Sequence, residues 1–317
     1  MKITELLTTE EIRKMKKLSD LKGLLAVATT WLMIGGAFAL VAWRPTVWTI
    51  LIALVILGGR HLALAILMHD ASHYSLFKTR ALNDFVGSWL CASPTWQHLT
   101  RYREHHMAHH KWAGSEKDPD ADLVAAFPTS PASLTRKLVR DVTGISGLKR
   151  LYGLVLMDFG YIKYTVSSNV VRLPQQGRTT SGIAALGARN MIGVVLTNAA
   201  LFGVLALVGK PWLYLLWVAA YLTTFSAFIR IRSIAEHACT ASGLDPFLNT
   251  RTTEANVIAR LTVAPHRVNY HLEHHLLMTV PYFNLPRLHR LLAAKGALDR
   301  AYRARGYIEV LRLASSR

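Results

Sequence analysis

Cysteine is nearly absent from this 317-residue chain, which holds only Cys91 and Cys239. Two such distant residues form neither a disulfide framework nor a Cys-x-x-Cys motif, and both read as small core residues. Acidic side chains are scarce too: 19 Asp and Glu face 37 Lys and Arg, a formal charge of +18. A glycine-rich flavin fingerprint and a cytochrome-type haem segment are also missing. The first 22 residues mix charges without an apolar centre, so no secretory signal peptide is expected there. In a soluble protein, so basic a balance would suggest nucleic acid. Here 51% of the residues are hydrophobic, and the cations are unevenly placed.

Four apolar runs account for that composition. Residues 24–42 and 47–68 are separated by Trp43-Arg44-Pro45-Thr46; residues 190–208 and 212–229 are separated by Gly209-Lys210-Pro211. Runs of this length cross a bilayer as helices, with Arg60 expected to snorkel towards the interface. Trp43, Trp48, Trp212, Tyr214 and Trp217 cluster at the two hairpin tips, as in an aromatic belt. The tips carry only Arg44 and Lys210, whereas residues 74–189 alone hold fifteen Lys or Arg. The positive-inside rule therefore places both termini, residues 69–189 and residues 230–317 in the cytoplasm. Anionic headgroups explain the basic excess, and no nucleic-acid partner is expected. The predicted fold is all-α and integral to the membrane: four transmembrane helices in two hairpins under a cytoplasmic helical cap. Residues 1–23 are expected to be an interfacial lead-in, with Thr8 or Thr9 capping a short helix ahead of Glu11, and residues 24–317 the membrane domain. Residues 84–99 are expected in the interface, and residues 151–164 in the membrane plane or roofing a substrate tunnel.

Histidine is plentiful and clustered. His69-Asp70-Ala71-Ser72-His73 follows the second run, Arg103-Glu104-His105-His106-Met107-Ala108-His109-His110 lies between the hairpins, and His271-Leu272-Glu273-His274-His275 follows the fourth run. Positions i, i+3 and i+4 share one helical face, so each cluster aims its imidazoles at one spot. Neutral imidazole suits iron, copper, zinc or nickel. One tetrahedral ion uses about four ligands, so eight or nine histidines imply two metals. The spacing from His105 also lies on one face; His106 is preferred, and the choice stays open here. His61, His98, His105, His266 and His289 are expected to be capped or solvent-facing.

The ordered set HDASH, REHHMAHHKW followed by Asp118-Pro119-Asp120, and NYHLEHHL followed by VPYFNLPRLH resembles the membrane fatty acid desaturase and hydroxylase superfamily, from about Arg60 to His289. The first box is one residue shorter than in stearoyl-CoA desaturases, and Ser233 stands where that subgroup has asparagine. The third box begins with His271, unlike the QxxHH of front-end desaturases. The resemblance implies two iron ions, dioxygen as co-substrate and oxidation of unactivated C–H bonds. It implies as ligands His69, His73, His106, His109, His110, His271, His274 and His275, with His237 as a further one. Its implied partition gives one iron His69, His106, His110 and His274, and the other His73, His109, His237, His271 and His275.

The expected activity is desaturation of an acyl-lipid or acyl-thioester, with hydroxylation or ketolation of a lipid, alkane or carotenoid on the same metal core as the alternative. A non-enzymatic membrane metal or haem protein is the remote one. Electrons are expected from a separate ferredoxin- or cytochrome-type donor with its reductase. Asp70, Glu104, Glu236 and Glu273 are candidates to accept the second N–H of ligating rings. Trp96, Tyr102, Trp112 and Tyr270 are candidate tunnel walls, and Arg60 a candidate acyl head-group ligand, though packing and snorkelling are the plainer roles.

Overall fold

The computed structural model describes residues 3–167 and 169–317 and is mostly helical. Its main helices are α1 (Thr9–Met15), α2 (Asp20–Trp43), α3 (Val47–Ser72), α4 (Leu99–Trp112), α5 (Pro131–Val142), α6 (Ile145–Asp158), α7 (Thr180–Leu207), α8 (Tyr214–Leu222), α9 (Thr224–His237), α10 (Val257–Leu261), α11 (His271–Leu276) and α12 (Leu285–Ala294). Among the described residues four helical stretches are long and apolar enough to cross a membrane, ending in α2, α3, α7 and the α8–α9 pair. The chain is thus an integral membrane protein of two hairpins and a helical cap.

The α3 helix runs on past its apolar run through the first histidine box to Ser72, because Ala71 and Ser72 add no breaker. Two features differ from expectation. The α7 helix starts at Thr180, ahead of its apolar run, with the Thr179 hydroxyl accepting from the Gly182 amide. The fourth stretch is broken between α8 and α9, where Thr223 takes φ −106° and ψ −87°. A kink in apolar surroundings needs new partners for the freed backbone groups. Arg150 of α6 supplies one, donating from Nη2 to the Tyr221 carbonyl at 2.6 Å and from Nη1 to Ser226 Oγ at 3.0 Å. Gly147 lets α6 come this close: a Cβ there would stand 2.2 Å from the Leu222 carbonyl oxygen.

The kink also seats the fourth stretch on α3. Thr224 Oγ1 donates to the Leu54 carbonyl at 2.6 Å, and a Cβ on Gly58 would lie 2.2 Å from that hydroxyl. Next to it, a Cβ on Gly59 would lie 2.1 Å from the Leu261 carbonyl oxygen. The paired glycines are therefore contact points for two different elements. Trp217, Leu57, Val41 and Ile34 fill the core between the hairpins, all nearly or fully buried.

Several ties close the cap. Strand β1 (Arg251–Thr253) pairs in parallel with β2 (Tyr302–Ala304). Buried Arg251 donates to the carbonyls of Ala235, Ala238 and Cys239, capping the end of α9, where a cation complements the helix dipole. Thr8 makes the capping box with Glu11. Leu7 and Met15 then bury themselves with Leu272, Leu288 and Leu292, so the lead-in packs into the cap. Residues 84–99 hold a helical turn, the π-helix Gly87–Ala92 and a 3-10 turn. Cys91 is buried as expected, but Cys239 is only half-buried and sits at a φ of 56° just past α9, so it is not a core residue.

Gly58→Val is expected to destabilise the chain by about 1–3 kcal/mol, the usual range for overpacking. Thermal unfolding followed by size-exclusion fluorescence in detergent would read this as a lowered midpoint. Gly203→Ala, which meets nothing within 4 Å, should leave the midpoint in place.

Candidate metal centre

Three elements bring the histidines together. The end of α3 presents His69 and His73, α4 presents His106, His109 and His110, and α11 presents His271, His274 and His275. His237 comes from the last turn of α9. They form two groups: His69, His73, His106, His110 and His274 in one, and His109, His237, His271 and His275 in the other. Within each group, one ring nitrogen per residue lies within 4.8 Å of all the others. The groups abut, since the rings of His110 and His275 stack at 4.3 Å. His73 falls with His69, on the opposite side from the partition implied by the resemblance. The helix explains this, because residues i and i+4 project to one face. His105 stands in neither group; its Nε2 meets Asp120 Oδ1 at 2.7 Å.

The outer partners of the rings place the protons of the donor set. His237 Nδ1 lies 3.0 Å from the Asn249 carbonyl oxygen, so Nδ1 carries the hydrogen and Nε2 of the neutral ring offers a lone pair. That Nε2 faces His271 Nε2 at 2.8 Å, while His271 Nδ1 is turned to Glu236 at 3.4 Å. His109 Nδ1 pairs with Asp118 Oδ1 at 2.8 Å and His69 Nδ1 with Asp70 Oδ1 at 3.0 Å. Their other nitrogens also face inward as lone pairs, and His69 Nε2, His73 Nε2 and His275 Nε2 have no hydrogen-bond partner. Buried lone pairs converging in this way fit cations in both groups.

Burial, followed by mutual repulsion, holds His106, His110, His271, His274 and His275 well below the usual imidazole range. Burial likewise pushes His73 down to about 3, with Arg103 adding to it. These rings are neutral at physiological pH, as ligation requires. Burial opposes protonation of His109 too, but its bond to Asp118 and the charges of Asp118 and Asp120 raise it.

A family sequence model now confirms what this arrangement suggests. The fatty acid desaturase family matches residues 45–306. The chain belongs to the fatty acid desaturase family. It is 26% identical to the dihydrorhizobitoxine desaturase of Bradyrhizobium elkanii over 87% of this chain and 78% of that one. It is 23% identical to the sn-1 oleoyl-lipid 12-desaturase of Synechocystis sp. over 70% of this chain and 62% of the relative. The beta-carotene ketolase of Paracoccus sp. is 26% identical over 82% of this chain and 84% of its own length.

In this desaturase-family chain the carboxylates divide differently than expected. Asp70 and Glu236 do face box histidines, but Glu104 is exposed. Glu273 is fully buried and accepts from Thr252 Oγ1 and His289 Nδ1, both at 2.5 Å. Asp118, which supports His109, was signalled only by the Asp-Pro-Asp that follows the second box. The remaining histidines are not solvent-facing by default. His61 donates to the Trp217 carbonyl, His98 pairs with Asp158, and His266 meets Thr30 Oγ1. Of the aromatic candidates only Tyr102 flanks a candidate ligand, stacking on His106 at 5.1 Å. Trp96 donates to Asp158, Tyr270 packs on His289, and Trp112 lies under Lys111 and Lys117. Arg60 does not snorkel: it is 4% exposed.

Asp118→Asn is expected to weaken metal binding roughly 10- to 100-fold, the usual cost of losing a carboxylate behind a ligating histidine. Chelator competition followed by elemental analysis would measure it. Glu104→Gln, changed at an exposed position, should retain wild-type affinity.

Proposed function

We propose that the chain holds two iron ions, one in each histidine group, and uses dioxygen to desaturate a lipid acyl chain. The observation that carries this reading is the pair of abutting all-imidazole groups at one end of four spanning helices in a desaturase-family chain. The first ion would take His69, His73, His106, His110 and His274; the second would take His109, His237, His271 and His275. Iron bound there would supply the reduction of dioxygen and the removal of hydrogen from an unactivated C–H bond. Two hydrogens leave adjacent carbons, and two further electrons with two protons complete the reduction of dioxygen to water.

The chain's own residues do the holding. Asp70, Asp118 and Glu236 fix ring tautomers and orientations from behind. Tyr102 covers His106 and excludes water from that side. The spanning helices keep hydrocarbon next to the site, which suits a substrate that resides in the bilayer. Electrons would come from a separate ferredoxin- or cytochrome-type protein with its reductase. The basic residues flanking the apolar hairpins support a cytoplasmic position for the cap and both termini.

A second reading has its own support: the beta-carotene ketolase matches over more of its length than either desaturase does. On the same metals, the position of the substrate carbon decides between a double bond and an inserted oxygen. One experiment separates the two. The chain is expressed in a lipid-rich host with and without carotenoid synthesis, beside His274→Ala, and both lipid fractions are profiled by mass spectrometry. A new acyl double bond that vanishes in the variant is the expected result. A keto or hydroxy carotenoid with unchanged acyl chains would replace desaturation by ketolation. An unchanged profile from a chain lacking two irons would sink both.

A further inference from the structure

The α10 segment lies in the cap by sequence, yet it touches the spanning helices near their middle. The tip of the first hairpin is marked by Trp43 and Trp48, 79% and 75% exposed, at the level where amphipathic rings meet the headgroups. Gly59 stands about 18 Å along α3 from Val47, at 1.5 Å per residue. Thr30 stands about 20 Å along α2 from Trp43 by the same rise. Both positions contact the segment. The Leu261 carbonyl packs on Gly59, and His266 Nε2 lies 3.0 Å from Thr30 Oγ1. A hydrocarbon core of about 30 Å would leave these contacts roughly 10 Å inside the boundary nearer the metal centre.

Arg60 fits this depth. It has no carboxylate within ion-pair distance among the described residues; it donates instead from Nη2 to the Leu261 carbonyl at 3.0 Å and from Nη1 to Met33 Sδ at 3.5 Å. A guanidinium at the carbonyl end of a short helix satisfies an acceptor that no water reaches in a bilayer. Other backbone groups of the segment are also closed locally. Asn256 Oδ1 accepts from the Ala259 amide, Thr262 Oγ1 donates to the Ile258 carbonyl, and the Ala264 amide donates to the Ala259 carbonyl. Meanwhile Val257, Ile258 and Leu261 are 68%, 71% and 43% exposed. Satisfied backbone under an exposed aliphatic face is the arrangement hydrocarbon demands and water does not.

We propose that residues 254–268 form a re-entrant element that dips from the cap into the bilayer, with Val257, Ile258 and Leu261 against lipid acyl chains. The occupant of this face is the membrane itself, continuous with the lipid-facing surface of α3. Exposed Arg260 reaches back to the headgroups by snorkelling. The element leads through His266 to His271, so the third histidine box is anchored to the bilayer from below as well as by the cap.

The test uses the full chain in phosphatidylcholine nanodiscs, with a bimane label at Ile258→Cys in a Cys91→Ala, Cys239→Ser background. Ile192→Cys, in mid α7, is the hydrocarbon reference; Leu244→Cys, on an exposed cap loop, is the aqueous one. At position 258, doxyl groups on the acyl chains should quench several-fold more than at 244, and aqueous iodide several-fold less. Quenching at 258 that tracks 244 for both agents would overturn the proposal. If the cysteine-free background does not fold, benzoylphenylalanine at 258 in the otherwise native chain gives the same decision. Photo-adducts with phospholipid tails are then expected, and their absence beside adducts formed from position 192 would count against it.

Discussion

Nine imidazoles, six buried and three half-buried, set the terms for the rest of the molecule by their converging lone pairs. Several rings are held by their outer nitrogens, His69 by Asp70, His109 by Asp118 and His237 by the Asn249 carbonyl. Such a cluster is repulsive on its own and becomes favourable only around positive charge. The helices that supply it must therefore be fixed against that repulsion. The fixing is visible: Arg251 ties the end of α9 to β1, Thr224 seats α9 on α3, and Asn249 bridges by donating from Nδ2 to the Ala113 and Gly243 carbonyls. His237 enters the site because the same Asn249 offers its backbone carbonyl to Nδ1.

Much of this is legible in the sequence. Helical spacing alone aims His106, His109 and His110 in related directions, and the four apolar runs announce two hairpins. His73 groups with His69 by distance, as i and i+4 on one helical face do, where the resemblance implies the other side. Tertiary partners were not legible. Nothing in the chain near Glu273 says that it turns to His289 rather than to a box histidine; that depends on α12 passing beside α11. The break at Thr223 was hidden for a similar reason. Its local sequence, Tyr221-Leu222-Thr223-Thr224-Phe225-Ser226, carries no proline or glycine to mark a break, and the kink is held open by Arg150, which is more than seventy positions away. A lone arginine in an apolar run suggests escape to water, but Arg60 stays buried because the carbonyl it needs arrives from residue 261.

The arrangement of charge carries a chemical consequence. Imidazole is a neutral ligand, while Asp70 and Asp118 stand one hydrogen bond behind and Glu236 lies 3.4 Å from His271 Nδ1. Carboxylates in direct contact with metals would cancel their charge; placed one ring away, they orient imidazoles and only partly offset it. With two irons held as proposed, the centre would keep a net positive charge in an apolar setting, where electrostatic interactions are poorly screened, and this would favour acceptance of electrons. It also makes loss of a carboxylate behind a ring a different event from loss of a ligand: the first loosens orientation, the second removes a donor.

The cap and the bilayer cannot then be treated as separate compartments. His69 and His237 are the last turns of spanning stretches, and His271 follows a segment that packs at mid-depth on two of them. All the candidate ligands except those on α4 are thereby referenced to the membrane, and α4 is referenced to α3 by Arg103, which donates to the Ser72 and Ala71 carbonyls. Under the proposed function, a hydrocarbon chain lying among the helices would meet the metals at a height set by these same contacts. The height at which a C–H bond would be presented is then a property of helix register, fixed by glycines 58 and 59 and by Arg60 as much as by the histidines themselves.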